Sequence, residues 1–573
     1  MRQRHATAPP ASVTPATERR GGVKRRVTAS SQAAPDQNDL PFNKCMRRDW
    51  AKGYLPAKKV VEYAKASSDQ GASGADILAG DPRNAHRFLV SAFGYPTKAP
   101  ELEWIEIPYK NGQTVPHPFL CPLKWVQKVV DSPEIFVDIM SGPPGDITDF
   151  WYNLRNSPLY PHGVAGDKTI AASIHGDSAP TTDVDGLYLF SWSSFHASGS
   201  TIAKKIPITV VKSSDVSAET MKTLANRIAW SFNALSSGLM PNQDWLGRDQ
   251  PDAGSQLCKG WRVANIALRG DWEFIQVFNG FPSPTSVPNM CWKCKASPHS
   301  GELCWTRHSM QAGWRRTLRT HDSWVQEVRD RGGELPAIFQ IRTLRLEGVL
   351  GDAMHTIDQG ITPSLVANVM CEVMETFGGN QDTKAKALDK HLKDWYKTTK
   401  EEYRIDGKLT YNRVKKSGQW PFLLCKAAAC RRLASYALHL ASEYNTNSNH
   451  DVWRKKACEA LVSIYKIIGD APRFLSPASQ QELAHASRTF LAFYTKLAAE
   501  AFDNNQRLWK LIPKFHMGQH ILEDDSAYLN PKHTWVYSDE DLQRIFKAIA
   551  QSAHSANTPY VVLFKWAVLK FDS

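Results

Sequence analysis

Apolar positions change their period along this chain, and the changes mark out its parts. From Leu55 to Phe93 they recur at helical spacing. Leu55-Pro56-Ala57-Lys58-Lys59-Val60-Val61-Glu62-Tyr63-Ala64 has a proline near a helix start, and Asp81 to Phe93 carries a second helix stopped by Gly94 and Pro96. Such a pair can enter a DNA groove or cap the next domain. Residues 101–167 mix Pro, Gly and aromatics, with helical pieces predicted at 122–131 and 146–155. Short β-branched and aromatic runs then take over: 169–176, 185–195, 206–211 and 261–269. A capping start at Ser217-Ala218-Glu219-Thr220 opens a helix over 218–236, with Met221, Leu224, Ile228, Ala229 and Phe232 on its apolar side. Another helix begins at Trp272. A fifth strand is predicted within 342–360, running into a helix at 361–377. Helical periodicity then dominates, at 384–400, 423–443, 451–469 and 479–503, and a last helix starts near Ser538 with acids in its first turn.

The central block therefore reads β-β-β-α-β-α. Its first strand ends at Asp177 and its fourth at Asp271. That order, with carboxylates at those two ends, matches an RNase H-like fold, in which strands one and four are spatial neighbours. The expected architecture is an α/β RNase H-like core, a mixed five-stranded sheet flanked by helices, carrying a large all-α insertion. The expected boundaries are a disordered basic tail at 1–40, a helical and irregular region at 41–167, and the first part of the core at 168–290. A Cys-rich segment follows at 291–340, the last core strand at 341–365, the all-helical insertion at 366–530 and a C-terminal core helix at 531–573.

Composition narrows the function. A chain of 573 residues needs about two to four domains. A formal net charge of +13 favours a polyanionic partner, nucleic acid first. Arg19-Arg20 and Lys24-Arg25-Arg26 in the tail are the kind of cluster that serves as a nuclear address, so the nucleus is the expected compartment. Neither a signal peptide nor a membrane span is expected, since no long apolar run occurs. Ten Cys are too sparse for a disulfide scaffold.

Two kinds of chemistry remain. Phosphodiester cleavage with paired Mg²⁺ or Mn²⁺ ions needs carboxylates that hold the ions about 3.5–4 Å apart. Asp177 and Asp271 supply two, and Glu540 is the predicted third, with Asp539 the next choice and Glu347, Asp352 and Asp358 the other candidates. The second chemistry lies in Cys291-x2-Cys294-x4-His299-x4-Cys304, which has the spacing of a zinc knuckle. Cys304 with His308, or His355, could complete the set instead. His355, His516 and His520 otherwise read as core or hydrogen-bonded histidines. Trp230, Trp272, Trp292, Trp305 and Trp314 are placed where they could stack on bases or fill the core.

At these residues the chain resembles the CACTA-type cut-and-paste transposases, including the related Plavaka-like group, which are DDE/D enzymes. The matching features are His175-Gly176-Asp177 followed by Ala179-Pro180, and Leu268-Arg269-Gly270-Asp271 followed by Cys291-x2-Cys294. Asp352-Ala353-Met354-His355-Thr356-Ile357-Asp358, Pro513-Lys514-Phe515-His516 and the acidic helix start at 538–541 also fit. The resemblance spans roughly 170–545. It implies an all-helical insertion before the last catalytic acid, DNA cleavage at transposon ends and strand transfer. DNA and a homo-oligomer are the expected partners. A catalytically inactive, transposase-derived nucleic-acid-binding protein is the alternative.

Overall fold

The computed structural model describes residues 40–181, 185–299, 301–554 and 557–571. The basic clusters at 19–26, and all of the expected tail but Leu40, lie outside the described residues.

A four-stranded sheet forms the centre, built from β3 (Thr169–Pro180), β4 (Gly186–Ser194), β5 (Ile206–Lys212) and β6 (Arg262–Arg269) in the order β5-β4-β3-β6. β3 is antiparallel to β4 and parallel to β6. Almost every residue of β3 and β6 is buried, which is why both read as continuous apolar runs instead of alternating ones. Helix α1 (Ala218–Ser237) crosses from β5 to β6. It opens on a capping box between Ser217 and Thr220 and stops at Gly238, whose φ of 73° suits a residue without a Cβ. Its Phe232 packs edge-on to Trp192 of β4, with ring centroids 5.6 Å apart.

The predicted fifth strand is reduced to one parallel bridge between Leu268 and Val349. Gly348 lies so close to β6 that a Cβ there would collide with the Ile266 carbonyl oxygen. A tight turn at Leu346–Gly348 and the helical turn that starts after Asp352 leave no room for a longer ladder. That turn, Met354–Ile361, is wound as a π-helix and runs directly into α3 (Thr362–Glu375).

A hairpin precedes the main sheet, unpredicted from the sequence. β1 (Glu103–Pro108) and β2 (Thr114–Phe119) pair antiparallel around Asn111-Gly112. Before it, the helices Pro41–Ala51, Ala57–Asp69 and Ala85–Phe93 form a small unit. Trp50 of that unit packs on Phe93, and also on Phe564 of the last helix, which belongs to the far end of the chain.

After α2 (Trp272–Asn279) and α3 come α4 (Gln381–Thr399), α5 (Ala427–Glu443), α6 (Asn449–Asp470) and α7 (Pro477–Asp503), with α6 and α7 packed along each other. The chain returns to the sheet through α8 (Lys514–Gln519), α9 (Tyr537–Gln551) and α10 (Thr558–Phe571). Asp539 pins α9 in place. Its buried carboxylate meets Lys205 Nζ at 2.7 Å, Arg269 Nη1 at 3.5 Å and His175 Nδ1 at 3.6 Å, thereby tying α9 to the neighbourhoods of β5, β6 and β3 together.

Candidate active site and metal centre

The parallel register pairs His175 with Arg269. Asp177 and Asp271 each follow two residues later, so they leave the same end of adjacent strands, which run about 4.8 Å apart. The glycine before each aspartate permits this approach. A Cβ on Gly176 would collide with the Phe274 ring of α2, and one on Gly270 would lie 2.5 Å from that ring and 2.7 Å from the Gly176 carbonyl oxygen. Asp271 then caps α2, accepting the Phe274 amide at 2.6 Å. Asp177 is only 4% exposed and accepts the Ser178 amide at 2.7 Å.

Glu540, in the first turn of α9, brings the third carboxylate to Asp177. Burial, and then the negative charges of Asp271 and Glu540, push the Asp177 carboxyl up to about 8. Glu540 is held down, first by its hydrogen bond with His355. The acid group thus retains a proton that an ordinary pair of carboxylates would lose. His355 links it to a fourth acid: its Nδ1 lies 2.6 Å from Asp352 Oδ2 and its Nε2 3.2 Å from Glu540 Oε1. Burial alone would discharge this imidazole, but the two carboxylates outweigh burial and raise its pKa to about 10.

The other candidates for the third acid are engaged elsewhere. Asp539 faces Lys205 and Arg269. Asp358 accepts the hydroxyls of Tyr465 and Tyr537, both at 2.6 Å. Glu347 accepts the His321 amide at 3.0 Å.

The second cluster lies beside α8. Cys291, Cys294, His516 and His520 are all buried, with one donor atom from each lying within 4.8 Å of the others. Cys294 Sγ is 3.3 Å from His516 Nε2 and 3.5 Å from His520 Nε2, and the two ring nitrogens are 3.2 Å apart. Bonds of about 2.0–2.3 Å in a tetrahedral site place donor atoms about 3.3–3.8 Å from each other, so this spacing fits a metal ion. The surroundings are also built for one. Asp524 Oδ2 lies 2.6 Å from His520 Nδ1, which turns Nε2 toward the cluster. Arg319 donates to the carbonyls of Cys291, Trp292 and Cys294, holding the Cys-x2-Cys turn. Burial pushes the Cys291 thiol up, but hydrogen bonds from Cys294 and the histidines, with the charge on His520, bring it well below its ordinary value.

The ligand set read from local spacing is corrected here. His299 is exposed, and Cys304 Sγ pairs with Thr306 Oγ1 at 3.1 Å; neither belongs to the cluster. His308 is occupied by Gln519, at 3.1 Å, and His355 by the acids. The cluster members missed are His516 and His520, more than 200 residues beyond Cys294. Their signal was the His-x3-His spacing, which sets two imidazoles on one helical face.

The tryptophans are mostly committed to packing. Trp314 lies edge-on to His516 and His520, with centroids 4.6 and 5.3 Å away, and Trp292 stacks on Phe281. Among the described residues, no helix is long and apolar enough to cross a membrane. No family model matches the chain, and no curated protein matches it either.

Proposed function

We propose that this chain is a divalent-metal-dependent DNA-cleaving and strand-transferring enzyme of the DDE/D transposase type, built on an RNase H-like core. The observation that carries the reading is the meeting of Asp177, Asp271 and Glu540. They come from the ends of two parallel neighbours and from a returning helix, and burial, with the charges of Asp271 and Glu540 added to it, raises Asp177 to about 8. Mutual repulsion of that kind is what a divalent cation relieves. The sheet order β5-β4-β3-β6 supports the fold assignment, with β3 and β6 as the neighbouring first and fourth strands of the core.

Asp177, Asp271 and Glu540 would hold Mg²⁺ or Mn²⁺, which would sharpen an attacking water or 3′-hydroxyl and stabilise the departing oxygen. The protein's own part is orientation. Asp271 is fixed by the cap it makes on α2, and Glu540 by His355. Lys514 donates to the His355 carbonyl at 2.7 Å, within the field of Asp352 and Asp271, so a cation stands beside the acids. Two residues on, His516 enters the Cys/His cluster. Zn²⁺ is the metal proposed there, since two thiolates and two imidazoles without an open position make a structural site. The zinc site would brace α8 and hold Lys514 against the acids.

DNA at transposon ends is the proposed substrate and partner, and the nucleus the compartment. The test is nicking of supercoiled plasmid by the full chain with Mg²⁺ or Mn²⁺. Nicking should appear with the wild type and vanish with Asp177→Asn. Undiminished nicking by that variant would overturn the assignment.

A further inference from the structure

A third group of side chains of metal-ligand type lies in the helical region, separate from both sites above. His391 is on α4, and His439 and Glu443 are four residues apart on α5; one donor atom of each lies within 4.8 Å of the others. Nε2 of His391 is 3.1 Å from Glu443 Oε2, and Nε2 of His439 is 3.3 Å from the same oxygen. Donors bound at about 2.0–2.1 Å in a tetrahedral site stand about 3.3 Å apart, so each imidazole already stands at that spacing from the carboxylate oxygen, with all three donors within 4.8 Å of one another.

The outer partner of one ligand is also in place. His391 Nδ1 lies 3.0 Å from the hydroxyl of Tyr436, whose ring is fully buried. An imidazole held at one nitrogen by a buried partner presents the other in a fixed direction, as metal-ligating histidines do. The open side is equally clear. The His439 and Glu443 side chains are 46% and 43% exposed and that of His391 is 23%, so an ion can enter from solvent and keep water on its remaining position.

We propose that His391, His439 and Glu443 bind a first-row divalent transition metal of the zinc class, with three protein ligands and one position open to water. Two imidazoles beside one carboxylate suit zinc and its neighbours and disfavour Mg²⁺ and Ca²⁺, which take oxygen ligands. The ion ties α4 to α5. This site lies apart from the acids and from the buried Cys/His cluster, so its ligands can be changed without touching either.

The experiment is equilibrium dialysis of the full chain against buffered micromolar Zn²⁺, with bound metal counted, and a parallel Co²⁺ loading followed by visible spectroscopy. His439→Ala is the first variant, because the side chain is half-exposed and its removal leaves no buried cavity. His439→Ala and Glu443→Gln are expected to bind one equivalent fewer than the wild type. The thiolate charge-transfer bands of cobalt in the Cys/His cluster should be unchanged. Tyr436→Phe should weaken the same equivalent about tenfold, the scale of an outer-partner loss. Equal stoichiometry and affinity in the wild type and His439→Ala would overturn the proposal and reduce the trio to two imidazoles hydrogen-bonded to one carboxylate.

Discussion

The acid site and the Cys/His cluster gather metal-binding side chains in opposite ways. In the Cys/His cluster all four ligands are buried, one imidazole is oriented by Asp524, and the loop carbonyls are held by Arg319. In the acid site like charges face each other, Glu540 keeps a side chain 37% exposed, and a proton stays on Asp177 well above the usual carboxylate range. A closed set with an outer shell suits a structural ion; a strained and partly open set of acids suits a reaction. The contrast also shows how one can serve the other, because α8 carries His516 in one site and Lys514 beside the other.

The comparison breaks first at its largest effects. Asp177→Asn should lower Mg²⁺-dependent nicking by at least about 1,000-fold, the scale on which an essential charged group acts, measured on supercoiled plasmid. Cys294→Ala should release the zinc counted by metal analysis and lower stability by about 3 kcal/mol or more, read by denaturant unfolding. Asp539→Asn should cost about 3–5 kcal/mol, since it leaves Lys205 and Arg269 buried without their partner.

The pH dependence is subtler. Asp177 binds its proton more tightly folded than unfolded, so the group's stabilising contribution is full below its ordinary pKa of about 4. It is lost as pH rises toward about 8. Metal-free protein should therefore lose stability over that window, and Asp177→Asn should recover about 1–3 kcal/mol at pH 8 while abolishing nicking. A variant that is both less active and less stable at pH 8 would contradict the crowding of acids. The smallest effect expected is none: His299→Ala and Cys304→Ser should leave zinc stoichiometry unchanged.

How much of this could be read in the sequence depended on the range of each interaction. The strands around 169–176, 206–211 and 261–269 were legible because they are buried on both faces, and the side-by-side placement of Asp177 and Asp271 followed from strand order. Glu540 could be told from Asp539 only in three dimensions, where one helical step turns the latter into the ion cluster and the former toward Asp177. The Cys/His set read from local spacing failed for a related reason. Local spacing favoured His299 and Cys304, whereas the helical return of the chain delivers His516 and His520. The hairpin at 103–119 did have a signal in Asn111-Gly112, hidden by the prolines at 116 and 118. The fifth strand failed because Gly348 brings the chain to the edge of β6 but Asp352 turns it at once into a helix.

The most direct measurement is Mn²⁺ binding by the full chain, followed through the free-ion electron paramagnetic resonance signal in the wild type, Asp177→Asn, Asp271→Asn and Glu540→Gln. Depletion of free Mn²⁺ by the wild type, and its loss in all three variants alike, is the predicted result. Binding by Glu540→Gln that matches the wild type would show that the three acids do not form one site, and would contradict the account at its centre.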